Sequence, residues 1–378
     1  MPYTQQQTVF VLSMMSNLAA SQKGTPDQIE QHLAGQIDTF LAQMQGDIGT
    51  WTRVWGPAVF QLPGSSIADN AMYVAVNTSG PAPQYVVGIA GTNPGSIFDW
   101  VIEDFFVIVQ LPWLYGTPPA GAALSLGSFA GLIALQQLRP GPGLPGGGQT
   151  IQAFLKTIVT QPVNVTCTGH SLGGALSPAV ALWLLDTQAQ WDPQTRATIL
   201  CEPTAGPTSG NGAFAGYYDQ RLGGGTTRLV NSLDMVPHVW NETDLAAIPA
   251  LYAPDIPVDP GIEAIAAVAE AIAQNGDYTQ VEAGTPPLQG QIATSLINPK
   301  QSAFENYLTQ VAYQHINEYF ELLKLLPGSL PLLLALLKEL GVPGAGAVAA
   351  APAAAGVSSR AASVRAKLAR RGALPAAT

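Results

Sequence analysis

This chain has few cysteines and few charged residues, and its basic residues are outnumbered by its acidic ones. Two of its 378 residues are cysteine, and only 11% are Asp, Glu, Lys or Arg. Two cysteines cannot build the disulfide framework of a small secreted domain, and Cys167 and Cys201 lie in apolar runs that favour packed free thiols. The net charge of −10 argues against nucleic acid as a partner, because phosphate binding needs a clustered basic face.

Hydrophobic residues make up 47% of the chain, with 39 Gly and 31 Pro, which is typical of a folded protein rich in loops and buried strands. Residues 9–15 are apolar, but the first basic residue is Lys23, so the sequence does not predict a secretory signal. No unbroken apolar run predicts a membrane span. Location therefore stays open: cytoplasmic by default, with non-classical secretion or association with a membrane surface as alternatives.

Patterns typical of strands alternate with patterns typical of helices. Short β-branched runs predict strands at "AMYVAVN", "QYVVGIAGT", "DFFVIVQLPW", "VNVTCTG", "RATILCE" and "TTRLVNSLD". Helices are predicted at "QIEQHLAGQIDTFLAQM", with Thr25 and Asp27 as start residues, and at "GLIALQQL", "TIQAFLKTIVT" and "LGGALSPAVALWLLDTQ". This alternation predicts an α/β fold with a largely parallel central sheet flanked by helices.

Two segments depart from that alternation. Residues 245–300 are rich in Pro, Ala and Gly, with one helical pattern at "GIEAIAAVAEAIAQ", and are interpreted as an insertion at the active edge of the sheet. Residues 341–378 carry five basic residues and no acidic one in an Ala-rich sequence, which predicts a disordered tail. We therefore expect one domain over residues 1–340 and a tail after it.

A candidate nucleophile stands in the stretch "VTCTGHSLGGAL". Ser171 lies between Gly169 and Gly173 in a G-x-S-x-G pattern, with a predicted strand before it and an apolar helix after it. In that context the serine occupies a strained turn between strand and helix that exposes Oγ, the arrangement of an α/β-hydrolase nucleophile. An ordinary loop serine is the alternative.

A general base must approach the serine Oγ from the opposite side, with a carboxylate on its other ring nitrogen. His170 cannot do so, because adjacent side chains diverge at a sharp turn. The chain order serine, acid, base excludes His32, and His238 follows Asp234 too closely to fold back on it. His315, in "VAYQHINEYFELL", is therefore the predicted base, with a half-buried helix histidine as the alternative.

The predicted acid is Asp234, which ends "TTRLVNSLD" and precedes a turn containing Pro237. Such a turn at the carboxyl edge of the sheet is where a hydrolase acid is needed. A surface aspartate is the alternative, and Asp244 and Asp277 are the substitutes.

Several of these blocks, in this order, resemble the class 3 lipase family, the fungal-type triacylglycerol lipases of the α/β-hydrolase fold. The resemblance runs from about Tyr73 to Leu323. It is carried by "VVGIAGTNPGSIFDWVIEDF", "VNVTCTGHSLGGALSPAVALWL", "GPTSGNGAFAGYY", "NSLDMVPHV" and "QHINEYFELL". The chain departs from the family where Phe-Arg-Gly-Thr is usual, since it has Ile89, Ala90, Gly91 and Thr92 there.

The resemblance implies a serine hydrolase that needs neither a metal nor an organic cofactor. It implies that Thr92 donates its backbone N–H and its hydroxyl to the oxyanion, with the Leu172 N–H as the second donor. A backbone N–H at the start of a helix suits that task, because the positive end of the helix dipole favours negative charge.

A lid is predicted between Thr92 and Phe105, within "NPGSIFDWVIEDF". Its helical pattern groups the apolar residues on one side and the acidic ones near the other, the apolar set being Ile97, Trp100, Val101 and Phe105. A helix with that side turned over the serine would open onto lipid. A fixed amphipathic surface helix is the alternative.

The function expected is serine-dependent hydrolysis of carboxylic esters, chiefly lipids, through an acyl-enzyme. Partners would be the ester substrate and a lipid–water interface, with no obligate protein partner. A phospholipase A1, a feruloyl-type esterase or a polyester hydrolase on the same triad is the alternative within hydrolases. A non-catalytic lipid- or partner-binding protein is the alternative outside them.

Overall fold

A five-stranded sheet with the strand order β1-β2-β3-β6-β7 forms the centre of the fold. The computed structural model describes residues 2–91 and 107–340. The strands of this sheet are β1 Thr52–Phe60, β2 Asn70–Asn77, β3 Gln84–Ala90, β6 Val163–His170 and β7 Ala197–Thr204. A separate pair consists of β4 Gln110–Pro112 and β5 Ala123–Ser125.

The sheet changes character across its width. β1, β2 and β3 form an antiparallel meander, whereas β3, β6 and β7 run parallel. The parallel half carries the predicted nucleophile, because β6 ends at His170, directly before Ser171. The carboxyl ends of parallel strands are where α/β proteins place their sites.

Helices cover both faces of this sheet. They are α1 Gln5–Met15, α2 Pro26–Gln43, α3 Gln45–Ile48, α4 Leu126–Gln137, α5 Ile151–Ile158, α6 Leu172–Asp186, α7 Gln188–Trp191, α8 Gly212–Leu222, α9 Glu242–Ala247, α10 Pro260–Ala273, α11 Ala303–Ala312, α12 Glu318–Leu322 and α13 Leu330–Glu339. Short 3₁₀ turns occupy Gly223–Gly225, Val236–His238, Ile248–Ala250 and Thr294–Leu296, and a single π-helical turn spans Tyr313–Asn317.

Each face of the sheet has its own hydrophobic core. On one face α4 and α6 pack on the sheet, with Leu132 and Leu176 fully buried. On the other face α1, α2 and α13 pack together, with Phe10, Leu33 and Leu336 buried. Each large apolar side chain buried in this way contributes about 1.5–3 kcal/mol.

The amino-terminal helix α1 is a core element rather than a surface one. Thr4 and Gln7 form a capping box that fixes its start, and the last eight of its 11 residues are buried. The Tyr73 hydroxyl on β2 donates to the Leu12 carbonyl at 2.6 Å. The Tyr3 hydroxyl donates to the Leu325 carbonyl at 2.7 Å, so the start of α1 is fastened to the segment that leads into α13.

Most predicted elements are confirmed. Helix α2 begins after the N-cap Thr25, whose side chain accepts from the Gln28 N–H, and Asp27 lies in its first turn. The predicted insertion contains α10. Cys167 and Cys201 lie opposite each other on β6 and β7, both buried and both free thiols, as their apolar surroundings predicted.

The prediction of a strand at "TTRLVNSLD" was wrong. That segment makes isolated bridges instead, from Thr226 and Leu229 to β7 and from Asn231 to Leu288. The side chains of Asn231 and Asp234 accept hydrogen bonds from the N–H groups two residues further on. Such local bonds compete with a strand ladder and turn the chain.

Two further strands differ from the expectation. Strand β1 was not predicted, because Gly56 and Pro57 interrupt its β-branched pattern. In "DFFVIVQLPW" only β4 is a strand, and it pairs with β5 outside the main sheet. Residues 104–106 of that stretch lie outside the described residues.

Within residues 2–91 and 107–340, no helix is long and apolar enough to cross a bilayer. The predicted tail, residues 341–378, lies outside the described part of the chain. The division into a domain and a tail stays a prediction.

Candidate active site

The turn that carries Ser171 has the geometry of an exposed nucleophile. Ser171 directly precedes α6 and has φ 60° and ψ −124°. This backbone conformation is energetically unfavourable for any residue other than glycine. A Cβ on Gly173 would overlap the Ile89 carbonyl, and one on Gly169 would overlap the Gly173 carbonyl. The two glycines are needed because strand, turn and helix approach one another so closely.

The predicted base lies against this serine. His315 is 1% exposed, and its Nε2 is 2.8 Å from the Ser171 Oγ. It lies in the π-helical turn that joins α11 to α12. Wide helical turns of this kind are frequently found at functional sites.

The predicted acid completes a row of three side chains. Nδ1 of His315 lies 3.0 Å and 2.9 Å from the two carboxylate oxygens of Asp234, and Asp234 is fully buried. The Val236 N–H donates to Oδ1 at 3.0 Å, and the Tyr319 hydroxyl donates to Oδ2 at 3.0 Å. Hydrogen bonds of this kind compensate a carboxylate for the loss of water.

The structure thus brings together Ser171, Asp234 and His315, the three residues proposed from the sequence. It does not bring in the substitutes for the acid. Asp244 lies in the first turn of α9, and Asp277 is exposed. The catalytic role of each residue stays a prediction, argued below.

The other histidines have different surroundings. His170 is buried, and its Nε2 is 2.7 Å from the backbone carbonyl of His315. Burial is the main reason why its pKa is well below the usual range, and electrostatic repulsion between the two neighbouring rings when both are protonated adds to it. Nδ1 of the half-buried His238 lies 2.8 Å from the Asp234 carbonyl, and His32 is in the middle of α2.

One of the two predicted oxyanion donors can be placed. Leu172 is the first residue of α6, where backbone N–H groups have no acceptor within the helix. Its side chain packs so closely on Gly91 that a Cβ on Gly91 would overlap it. Thr92 lies outside the described residues, and so do the predicted lid residues Ile97, Trp100, Val101 and Phe105.

A small cavity of about 10 Å³ borders the serine. The sequence motifs include only part of its lining, which consists of Asn17, Gly91, His170, Ser171, Leu172, His315, Ile316 and Leu340. Asn17 follows α1 and Leu340 follows α13, and neither belongs to a motif. Tyr319 could have been found, because it lies one helical turn after His315.

Comparison with known proteins identifies a family. The family model described as Lipase (class 3) matches residues 147–243, which contain Ser171 and Asp234. No curated protein matches the chain in sequence.

Solved structures give a longer match. The crystal structure of M37 lipase is 34% identical, with a TM-score of 0.80, and the match covers 90% of this chain and 98% of that one. Lipase II from Rhizopus niveus is 21% identical with a TM-score of 0.42, covering 64% of this chain and 76% of its own. The lipase from Rhizopus microsporus var. chinensis is 20% identical with a TM-score of 0.40, covering 63% and 71%.

The match to M37 lipase extends over nearly the whole of both chains, and the family model covers the segment around the nucleophile. The chain therefore belongs to the class 3 lipase family, has the α/β-hydrolase fold and is a carboxylic ester hydrolase.

Proposed function

We propose that the protein hydrolyses lipid esters of the triacylglycerol type, with Ser171 as nucleophile, His315 as general base and Asp234 as the acid that orients it. The observation that carries the proposal is the continuous row of contacts from the Ser171 Oγ, through both ring nitrogens of His315, to the buried carboxylate of Asp234. A nucleophile, a base in hydrogen-bond reach and a third group that orients the base make up the minimal machinery of acyl transfer.

In the first half-reaction the Ser171 Oγ attacks the ester carbonyl carbon while Nε2 of His315 takes the hydroxyl proton. The carbonyl oxygen becomes an oxyanion, which the Leu172 N–H stabilises together with Thr92, the second donor implied by the family resemblance. The tetrahedral intermediate collapses as His315 gives its proton to the departing alkoxide oxygen. An alcohol leaves, and the acyl group stays on Ser171.

In the second half-reaction a water molecule replaces the alcohol. His315 takes a proton from the water, and the resulting hydroxide attacks the acyl carbon. The intermediate then collapses, and the proton returns to the Ser171 Oγ. Throughout, Asp234 accepts the Nδ1–H of His315 and stabilises the imidazolium that forms in each half-reaction.

Exposed apolar side chains support a lipid substrate. Where the described chain resumes at Val107, Ile108 is 77% exposed, Val109 49% and Leu114 62%. Apolar side chains clustered within a few residues on a surface are a common feature of sites that contact lipid. They directly follow the predicted lid, so we propose that this region meets the lipid–water interface.

Covalent labelling tests the proposed chemistry. A fluorophosphonate probe should modify Ser171 in the wild type and leave the Ser171→Ala variant unlabelled, as read by mass spectrometry of the modified peptide. Absence of labelling in the folded wild type would contradict the proposed nucleophile.

A panel of substrates tests the proposed substrate class. We expect long-chain triacylglycerol emulsions to be hydrolysed with a higher kcat/KM than feruloyl esters or polyester films. A marked preference for the sn-1 ester of phospholipids would make the protein a phospholipase A1 on the same triad. Labelling without turnover of any ester would favour the non-catalytic alternative.

A further inference from the structure

His170 stands next to the proposed nucleophile in sequence, yet the proposed reaction does not use it. Its side chain is 3% exposed and faces the base rather than solvent. The centroids of the His170 and His315 rings are 4.6 Å apart. Nε2 of His170 lies 2.7 Å from the backbone carbonyl oxygen of His315.

The direction of this hydrogen bond follows from chemistry. A carbonyl oxygen can only accept, so Nε2 of His170 must carry the proton and donate it. Burial, and second the electrostatic repulsion between two neighbouring imidazolium rings, depress the pKa of His170, so its ring is neutral. His170 is therefore a fixed neutral donor rather than a second base.

We infer that His170 is a positioning residue that holds the backbone of the catalytic base in register with the nucleophile turn. This inference rests on the proposed roles of Ser171 and His315. Because His170 is joined to Ser171 by a peptide bond, its contact with His315 ties the two halves of the site together. The hydrogen bond from His170 to the His315 carbonyl is independent of the one between the Ser171 Oγ and Nε2 of His315.

The hydrogen bond between His170 and the His315 carbonyl matters most after acylation. Once the Ser171 Oγ carries the acyl group it has no proton to donate, and its hydrogen bond to His315 is lost. The contact of His170 with the His315 carbonyl involves no reacting atom and persists. His315 can then stay in place to activate the hydrolytic water, since the π-helical turn that carries it is held at its carbonyl.

Two other contacts fix the surroundings of His170. The Tyr319 ring lies edge-on to it at 5.9 Å, and Tyr319 is itself stacked on Phe10 of α1. His170 and His315 are 3% and 1% exposed, so bulk water does not reach the contact between them. A lost donor at this position would therefore leave the His315 carbonyl without a substitute for that hydrogen bond.

His170→Phe and His170→Gln separate the donor from the ring. Phenylalanine keeps a ring without an N–H, while the glutamine amide can place an N–H close to the position of Nε2. We expect His170→Phe to lower kcat on a short soluble ester about 10- to 100-fold with little change in KM, because misplacing a base by about 1 Å costs on that order. His170→Gln should recover most of that loss.

Pre-steady-state kinetics provide a further readout. Loss of the hydrogen bond from His170 should slow deacylation more than acylation. The acyl-enzyme should then accumulate, so His170→Phe should show a larger burst of alcohol product than the wild type. A purely structural role would lower the amount of folded protein without changing the ratio of the two steps. His238→Phe is the matched control, since His238 contacts the Asp234 carbonyl but is half-exposed, where water can replace it.

The inference is overturned if His170→Phe keeps the wild-type kcat, or if the Phe and Gln variants lose kcat equally. Should His170→Phe fail to fold by its melting transition, His170→Asn replaces it, because that amide is too short to reach the carbonyl. Equal kcat in the Asn and Gln variants would then overturn the inference. Fluorophosphonate labelling of Ser171 in the wild type separates these outcomes from a failure of the proposed function.

Discussion

The Tyr319 hydroxyl joins the proposed acid to the turn that presents it. It donates to Oδ2 of Asp234 at 3.0 Å and accepts from the Asn231 N–H at 2.9 Å. Tyr319 is fully buried, so no water can take over either bond. Asp234 is therefore held by Tyr319 as well as by the Val236 N–H on its other oxygen.

Removing that hydroxyl should weaken both activity and stability. We expect Tyr319→Phe to lower kcat about tenfold and the free energy of unfolding by about 1–3 kcal/mol, since a buried carboxylate and a buried N–H each lose a partner. Steady-state kinetics and urea unfolding measure the two effects. Tyr307→Phe is the matched control: its buried hydroxyl donates to the Ile248 carbonyl at 2.6 Å, away from the triad, so only stability should fall.

The three proposed catalytic residues should behave as one unit. We expect Ser171→Ala, His315→Ala and Asp234→Asn each to lower kcat by several orders of magnitude, with double variants little worse than single ones. Ester hydrolysis by the purified variants measures this. His238→Ala should stay near the wild type, and an inactive His238→Ala beside an active His315→Ala would reassign the base.

The predicted oxyanion donor can be tested through its hydroxyl. Thr92→Ala should lower kcat about 10²- to 10³-fold with little change in KM, because the donor acts mainly in the transition state. Thr92→Ser should keep much of the activity. An equal loss in both variants, in the same kinetic assay, would assign Thr92 to packing instead.

Glu202 on β7 should make stability depend on pH. It is buried, its Oε1 has no hydrogen-bond partner, and burial raises its pKa well above the usual value. The folded state therefore holds this proton more tightly than the unfolded state. The corresponding stability is present below the unfolded pKa and is lost as pH rises through the folded one.

Glu202→Gln should remove that loss, so the variant should gain melting temperature relative to the wild type as pH rises. Melting curves between acidic and neutral pH provide the comparison. Glu263→Gln, at an exposed position on α10, is the control and should leave the pH profile unchanged. Identical profiles for Glu202→Gln and the wild type would contradict the assigned protonation.

The proposed lid should govern the response to an interface. Opening it would expose about a few hundred Å² of apolar surface in water, a cost of several kcal/mol at about 25 cal/mol per Å², which an oil surface removes. Activity on a long-chain emulsion should rise sharply above the solubility limit. Trp100→Ala should weaken this rise and leave the hydrolysis of a short soluble ester unchanged. Simple saturation kinetics of the wild type across the solubility limit would favour a fixed surface helix over a moving lid.

The exposed side chain of Ile108 tests the interface beyond the lid. Ile108→Ser should lower activity on the emulsion severalfold and leave the soluble ester unaffected, because it changes only the surface. Val258→Ser, at an exposed apolar position in the insertion, is the control. Equal effects of both variants on emulsion activity would contradict a specific role of Ile108 in contacting lipid.

Local patterns allowed much of the site to be predicted from the sequence. Ser171 was found because strand, tight turn and helix follow one another within a few residues, and G-x-S-x-G needs that context. The segment after Thr226 was misassigned because Asn231 and Asp234 satisfy backbone N–H groups locally, which apolar alternation does not reveal. Asn17 and Leu340 could not be predicted, since they reach the serine only through the packing of α1 and α13.

The position of Leu340 has a consequence for biosynthesis. Helix α1 is buried against the sheet in the same hydrophobic core as α13, and the Tyr3 hydroxyl donates to the Leu325 carbonyl, 322 positions later. Until the ribosome has translated α13, that core lacks the side chains that this helix contributes. The serine pocket reaches its final lining only after Leu340 has emerged from the exit tunnel, so a nascent chain carries its nucleophile turn long before it can act as a hydrolase.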